Sequence, residues 1–283
     1  MDHRFLRHIE ACNNAESFRD DLPLRVAGQV VSWLPPILAE ELALLSPHLF
    51  HATDGVALDP SLPDVEARTE ALSALTAELS RLGRLRLRDE PFDVCATPGG
   101  AVLARIDRAA VARLGILSRG AHLNGLVRRA DGLHLWMGWR ARNKAIEPGK
   151  LDNVVAGGVP AGLSPTKTLL KEAEEEARMP RALAAQAREA GTVSYVMRNG
   201  NEGLRRDVLH CFDLELPEDF TPVPGDDEVE RFELWPAHRV LEAVRDGDAV
   251  KFNVNLVLID LFLREGMLDD EDGALRRGLS RFR

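Results

Sequence analysis

Three glutamates, Glu172, Glu175 and Glu176, sit in the run KEAEEEA, and their spacing is the first sign of chemistry in this chain. At ~100° per residue around a helix, Glu172 and Glu176 stand one turn apart and Glu175 lies beside them. Leu169, Leu170, Ala173 and Ala177 then fall on one side and can face a core. Lys167, Lys171, Glu174 and Arg178 fall towards water. Three carboxylates on one stripe repel one another and raise one another's affinity for protons. A hard cation such as Mg²⁺ relieves that repulsion, because it takes oxygen ligands. A glutamate run is, in the ordinary case, a solvated helix face. Two neighbours set this one apart. Gly157-Gly158 ends an apolar segment shortly before it, and Ser164-Pro165 supplies an N-cap followed by proline at the first helical position. Pro180 stops the helix.

The whole stretch, VVAGGVPAGLSPTKTLLKEAEEEARMP from Val154 to Pro180, resembles a Nudix box. Gly157 takes the first glycine of that motif, and Lys171-Glu172 takes its Arg-Glu pair. Ala173 takes the apolar position, Glu175-Glu176 the Glu-Glu pair and Met179 the last apolar position. Leu163 stands where the first glutamate belongs, Lys171 replaces arginine, and Arg178 replaces glycine. In the family the first glutamate and the arginine support each other across the loop, and both have changed here.

The resemblance implies an α/β (α+β) fold, the Nudix α/β/α sandwich with a mixed sheet, preceded by a smaller α+β N-terminal domain. It implies hydrolysis of a diphosphate joined to another moiety, with Mg²⁺ or Mn²⁺ held by Glu172, Glu175, Glu176 and the Gly157 carbonyl. A metal so held neutralises diphosphate charge and activates water. One of the box carboxylates, or Glu228 or Glu230 from a later acidic loop, takes the water proton, and the residues leave that choice open. Arg140 and Lys144 are candidate clamps for the diphosphate, with a plain surface cation as the competing reading. His122 and Asn124 are candidates to touch substrate, although a histidine in a hairpin also serves a structural role. Trp136 and Trp139 lie an odd number of residues apart on a predicted strand, so they point to opposite faces.

These residues need elements to position them. FLRHIEACNN is helix-like, and Leu24 to Leu34 alternates as a strand or hairpin. ILAEELALL reads as a helix, Asp54 to Pro63 as a loop, and Ala67 to Leu82 as an amphipathic helix. Arg84 to Arg88 and Phe92 to Ala96 read as paired strands, and Ile106 to Leu114 as a helix. A hairpin follows around Asp131-Gly132. Beyond the box come a helix from Arg181 to Ala190, strands at Thr192 to Met197 and Leu209 to Leu216, and the acidic DDEVERFELW. Helices at Val240 to Arg245 and Asn255 to Arg264 follow, and DDEDGALRRGLSRFR reads as a partly ordered tail. The break at Gly115 divides the chain into an N-terminal α+β domain, 1–117, and a Nudix domain, 118–283.

A narrower resemblance extends over most of the chain. FLRHIEACN, His122-Leu123-Asn124-Gly125, PGKLDN and the stretch Asp227 to Phe232 are similar to pieces of a Nudix group related to thiamine diphosphate metabolism. Some members of that group are fused to thiamine pyrophosphokinase. The substrate implied is thiamine diphosphate or a damaged or analogue form, cut to the monophosphate plus phosphate. The alternatives are a nucleoside-diphosphate-linked substrate or a non-catalytic ligand sensor on the same fold. An isomerase of isopentenyl diphosphate would need a cysteine on the strand entering the box, and LDNVVAGG has none.

Composition bounds the partners. The 283 residues carry a net charge of −9 and are 45% hydrophobic. Polynucleotides select basic surfaces, so a small-molecule organic diphosphate is the expected partner rather than nucleic acid. The three cysteines, Cys12, Cys95 and Cys211, have neither disulfide nor zinc spacing and fit a reducing cytoplasm. Residues 254–263 form the longest apolar stretch, too short to span a bilayer. Nothing in the sequence fixes the oligomeric state.

Overall fold

The computed structural model describes residues 3–15, 20–198 and 203–282. The chain opens with helix α1 (Leu6–Cys12), then strands β1 (Leu22–Val26) and β2 (Gln29–Leu34) and helix α2 (Pro36–Leu45). Strands β3 (Leu49–Ala52) and β4 (Gly55–Leu58) lead to helix α3 (Val65–Arg81), whose N-cap, Asp64, accepts from the Ala67 amide at 2.8 Å. Strands β5 (Pro91–Val94) and β6 (Ala104–Asp107) pair antiparallel, and a single turn, α4 (Arg108–Val111), follows. A four-stranded sheet in the order β2-β1-β4-β3 joins α2 and α3 around a core running from Leu24 to Ile116.

The second unit contains β7 (Leu117–Arg129), β8 (Gly132–Arg140), β9 (Leu151–Asp152) and β10 (Val155–Gly158), then helices α5 (Pro165–Ala177) and α6 (Arg181–Ala184). Strands β11 (Arg188–Arg198), β12 (Leu204–Glu215) and β13 (Val229–Pro236) follow, with helices α7 (Ala237–Asp246), α8 (Phe252–Arg264) and α9 (Ala274–Gly278). Its sheet has the order β11-β12-β7-β8-β13, with β10 added to β7 and β9 to β8. The β12–β7 pairing is parallel and the others are antiparallel, so the sheet is mixed.

Alternation along the strands builds two apolar layers. Ala121, Leu123, Phe212 and Leu214 face Leu169, Ala173 and Ala177 of α5. Leu126, Leu209 and Cys211 face α7 and α8 on the other side. Trp136 packs in the first layer and Trp139 in the second, as their odd spacing requires. Helix α1 joins the second layer through Phe5, Ile9 and Cys12, packing on α8 and α9 although it begins the chain. Among the described residues no helix is long and apolar enough to cross a membrane.

Several local expectations change. Residues 54–63 include strand β4, where Val56 and Leu58 are buried, and are not a plain loop. Residues 85–88 take no regular structure; β6 rather than this stretch pairs with β5. The expected helix over 106–114 begins instead as β6 and shortens to α4, capped by Asp107. The helix expected over 181–190 stops at Ala184, and β11 begins at Arg188. The closing segment carries α9, anchored by buried Leu275 and Leu279.

Candidate active site

Helix α5 starts as its sequence demands: the Ser164 hydroxyl accepts from the Lys167 amide at 3.2 Å, and Pro165 follows. It ends at Arg178, which takes the left-handed conformation (φ 48°) usually given to glycine. Glu174 is exposed and Glu176 is buried, so the helical phase read from the sequence holds. Glu176 Oε2 accepts from the Ala156 amide at 3.0 Å. Burial drives the proton affinity of Glu176 well above that of an ordinary carboxylate, and burial also raises that of Glu172. Glu175 is exposed and meets Lys171 Nζ at 2.6 Å, while the same ammonium lies 3.3 Å from Glu172 Oε1. A Cβ on Gly157 would stand 2.6 Å from Glu172 Cγ, so the close approach of β10 to α5 requires glycine.

The acidic loop is bolted to the end of this helix. Val223 N donates to Ala177 O at 3.1 Å, and Gly225 N to Glu176 O at 3.0 Å. Glu228 is thereby brought towards the box, where Lys144 Nζ meets it at 2.6 Å. Burial works against its charge, but the Lys144 contact and the nearby Arg108 and Arg140 hold it below the usual carboxylate range.

A cavity of about 730 Å³ opens between the two units. His122, Arg140, Lys144, Gly157 and Glu228 line it. Glu172, Glu175 and Glu176 are not in its lining; Glu172 lies against Gly157, and Glu176 borders a smaller void shared with Arg140, Asp152 and Glu228. Arg140 is fully engaged: its guanidinium meets Asp152 at 2.7 Å and donates to the carbonyls of Glu147 at 3.1 Å and Ile146 at 2.8 Å. It therefore pins the 141–150 loop rather than reaching freely for a ligand. His122 is buried, and burial together with Lys251 lowers its pKa to about 4, so the ring is neutral.

Two candidates lie away from the cavity. Asn124 is buried in a polar chain: His122 Nδ1 meets Asn153 Oδ1 at 2.9 Å, Asn153 Nδ2 donates to Asn124 Oδ1 at 2.8 Å, and Asn124 Nδ2 donates to Asp213 at 2.9 Å. Its amide is consumed in holding neighbouring strands and does not reach the cavity. Glu230 is half exposed and turns to Arg231 at 3.3 Å. Glu230 does not line the cavity, whereas Asp227 and Glu228 of the acidic loop do.

Several lining residues were not singled out from the sequence. The first unit contributes Arg86, Arg88, Phe92 and Arg108, and the second adds Arg205, Arg206 and Asn253. Asn253 is buried, and among the described residues its Oδ1 has no hydrogen-bond partner. The first unit also straps the box loop. Ala161 N donates to Pro91 O at 2.8 Å, Gly162 N to Asp93 Oδ2 at 3.3 Å, and a Cβ on Gly158 would meet Phe92 at 2.8 Å. The one sequence signal for this wall is the basic alternation RLRLR at 84–88.

Comparison with known proteins identifies the family. Residues 120–254 match the NUDIX domain, and residues 4–118 match a domain of unknown function, DUF4743. The chain is 35% identical over 278 residues to Nudix hydrolase 20, chloroplastic, of Arabidopsis thaliana, covering 94% of this chain and 74% of the relative. It is 35% identical over 271 residues to Nudix hydrolase 24, chloroplastic, of the same plant, with the same coverage. A solved structure, DR0079 of Deinococcus radiodurans, overlays at TM-score 0.47 and 20% identity, covering 60% of this chain and 98% of its own. The chain belongs to the Nudix hydrolase family, enzymes that hydrolyse pyrophosphate bonds.

Nudix hydrolases generally use divalent ions such as Mg²⁺. The donor chemistry suits such an ion, although among the described residues the side chains are not gathered around one point. Glu172 and Glu176 are carboxylates whose burial is uncompensated enough to raise their proton affinity. The Lys171 ammonium between Glu172 and Glu175 marks a place that draws positive charge. Among the described residues no three His, Cys, Asp or Glu side chains converge at metal-ligand spacing, because Glu175 is turned to Lys171.

Proposed function

We propose that this enzyme cleaves the diphosphate of a small organic diphosphate, thiamine diphosphate or a damaged or analogue form, to the monophosphate and phosphate. The observation that carries this reading is the charge of the cavity. Nine Arg and Lys side chains line it against three carboxylates, in a chain whose net charge is −9. Such local inversion concentrates an anionic ligand where the rest of the surface repels it. The volume suits a small molecule. Phe92 and Phe252 on the walls offer apolar faces to an organic ring, and the Oδ1 of Asn253, unpartnered among the described residues, offers an acceptor to a ring amino group.

The box glutamates would hold Mg²⁺ or Mn²⁺ together with the Gly157 carbonyl. When bound, the ion neutralises diphosphate charge and lowers the pKa of a water molecule. Glu228, kept ionised by Lys144, faces the cavity and accepts a proton from water attacking phosphorus. Water forms the new P–O bond, the bridging P–O bond breaks, and the leaving phosphate takes the electron pair.

The test is a competition, with Mg²⁺ present, between oxidised or hydroxylated thiamine diphosphates and nucleotide-sugar substrates, compared by kcat/KM. A higher kcat/KM for the thiamine class is expected. Preference for the nucleotide class by about tenfold, ~1.4 kcal/mol in transition-state binding, would remove the thiamine assignment.

A further inference from the structure

The cations closest to the box in sequence are already committed. Arg140 meets Asp152 at 2.7 Å, and Lys144 meets Glu228 at 2.6 Å. Further charge in the cavity comes from Arg205, over the Phe252 ring in the second unit, and from the first unit. Arg86 and Arg88 are exposed at its mouth, and among the described residues neither makes an ion pair. Arg108 stands nearer the box: its Cζ lies 3.9 Å from the point a Cβ on Gly158 would occupy, and 5.8 Å from the centre of the Phe92 ring. Among the described residues its ion-pair partner is Glu90 at 2.8 Å, in a solvent-exposed pair, which contributes little and exchanges readily for a phosphate oxygen.

The backbone holds these arginines in place. Arg88 N at 3.1 Å and Asp89 N at 2.9 Å donate to the Asp107 carboxylate, and Arg108 N donates to Glu90 O at 2.8 Å. The Pro91 and Asp93 contacts to residues 161 and 162 fix this strip against the box loop. Arginine presents a planar fork of donors suited to phosphate oxygens.

We infer that Arg108, backed by Arg86 and Arg88, is the arm with which the N-terminal unit grips the diphosphate, on the side of the Gly157-Gly158 loop away from α5. This rests on the reading of the cavity as a diphosphate site. It gives the N-terminal unit a direct part in substrate binding.

The full chain is titrated calorimetrically with inorganic pyrophosphate in excess Mg²⁺. Arg108→Ala is expected to weaken binding about tenfold, and the triple Arg86→Ala/Arg88→Ala/Arg108→Ala variant further still, because each loses charge-assisted hydrogen bonds. Arg108→Lys should recover part of the loss. Arg84→Ala, which removes a neighbouring charge paired with Glu41 outside the cavity, is expected to bind like the parent. Pyrophosphate binding by the triple variant equal to the parent's, or no binding by the parent, overturns the inference. Turnover of organic diphosphates is measured separately. A parent that binds pyrophosphate through these arginines yet hydrolyses no organic diphosphate would remove the proposed function and leave the anion site standing.

Discussion

Helix α5 packs against the Gly157 edge of the cavity, and the strip from Arg86 to Phe92 lines it, but the two are built by different means. The helix carries its instructions in its own sequence: an N-cap, a first-turn proline, an apolar stripe and a glutamate stripe in register. The strip has no regular structure before β5 and is shaped by contacts from elsewhere, namely the Asp107 carboxylate and the box loop. One region supplies negative ligands on a rigid rod, and the other supplies positive charge on a pinned thread. In the function proposed above, this division separates the chemical step from the capture of substrate.

The most severe way to test that division is Glu176→Gln. It keeps the volume and removes the charge, so kcat should fall about a thousandfold, ~4 kcal/mol, with the folded structure retained. Unchanged turnover would move the chemistry off α5. Next in size is removal of the first unit. A fragment beginning at Ser118 lacks α1, whose Phe5 and Ile9 are 1% and 4% exposed in the second unit's core. Loss of those contacts should lower stability by about 3 kcal/mol or more, read by denaturant titration, and restoring α1 in a co-expressed segment should recover it. A fragment as stable as the full chain would show that the two units fold without sharing that helix.

A gentler cut is Asp93→Ala, which releases Gly162 N and the Arg119 ion pair. The box loop should loosen and kcat drop about tenfold, a smaller loss than any box glutamate causes. Turnover equal to the parent's would mean that the strap is dispensable. Two changes on the helix sharpen the comparison from its stable side. Arg178→Gly relieves a left-handed arginine and should raise stability by about 1 kcal/mol in thermal melts. Glu174→Ala should shift stability by only a few tenths, about 0.3 kcal/mol, and leave metal binding intact; a large loss of metal affinity would show the helical phase to be wrong.

The same contrast explains what could be read in advance. Local signals placed α3, α5, the Asp131-Gly132 hairpin and the box glutamates, because each depends on periodicity or capping within a few residues. Strand β4 escaped notice because it is only four residues long in a polar stretch, and Val56 and Leu58 are buried by a core gathered from across the first unit. The Arg86, Arg88 and Arg108 wall was illegible for a related reason: its residues come together with the box only through tertiary contacts. Arg140 looked like a free cation, yet Asp152 consumes it, a partner no spacing rule identifies. Glu230 resembled Glu228 in sequence, but of the two it is Glu228 that lines the cavity.

The strap from Pro91 and Asp93 to residues 161 and 162 also bears on transplantation. Within the box, Leu163 and Lys171 stand where a mutually supporting glutamate and arginine belong, and here the loop is held by a neighbour instead. The box of this chain is therefore not a portable cassette. Moved onto another scaffold by itself, it would carry its ligands but leave its stiffener behind. Exchanging first units between relatives would likewise alter a loop whose own residues were untouched. The two units would have to be engineered as one piece.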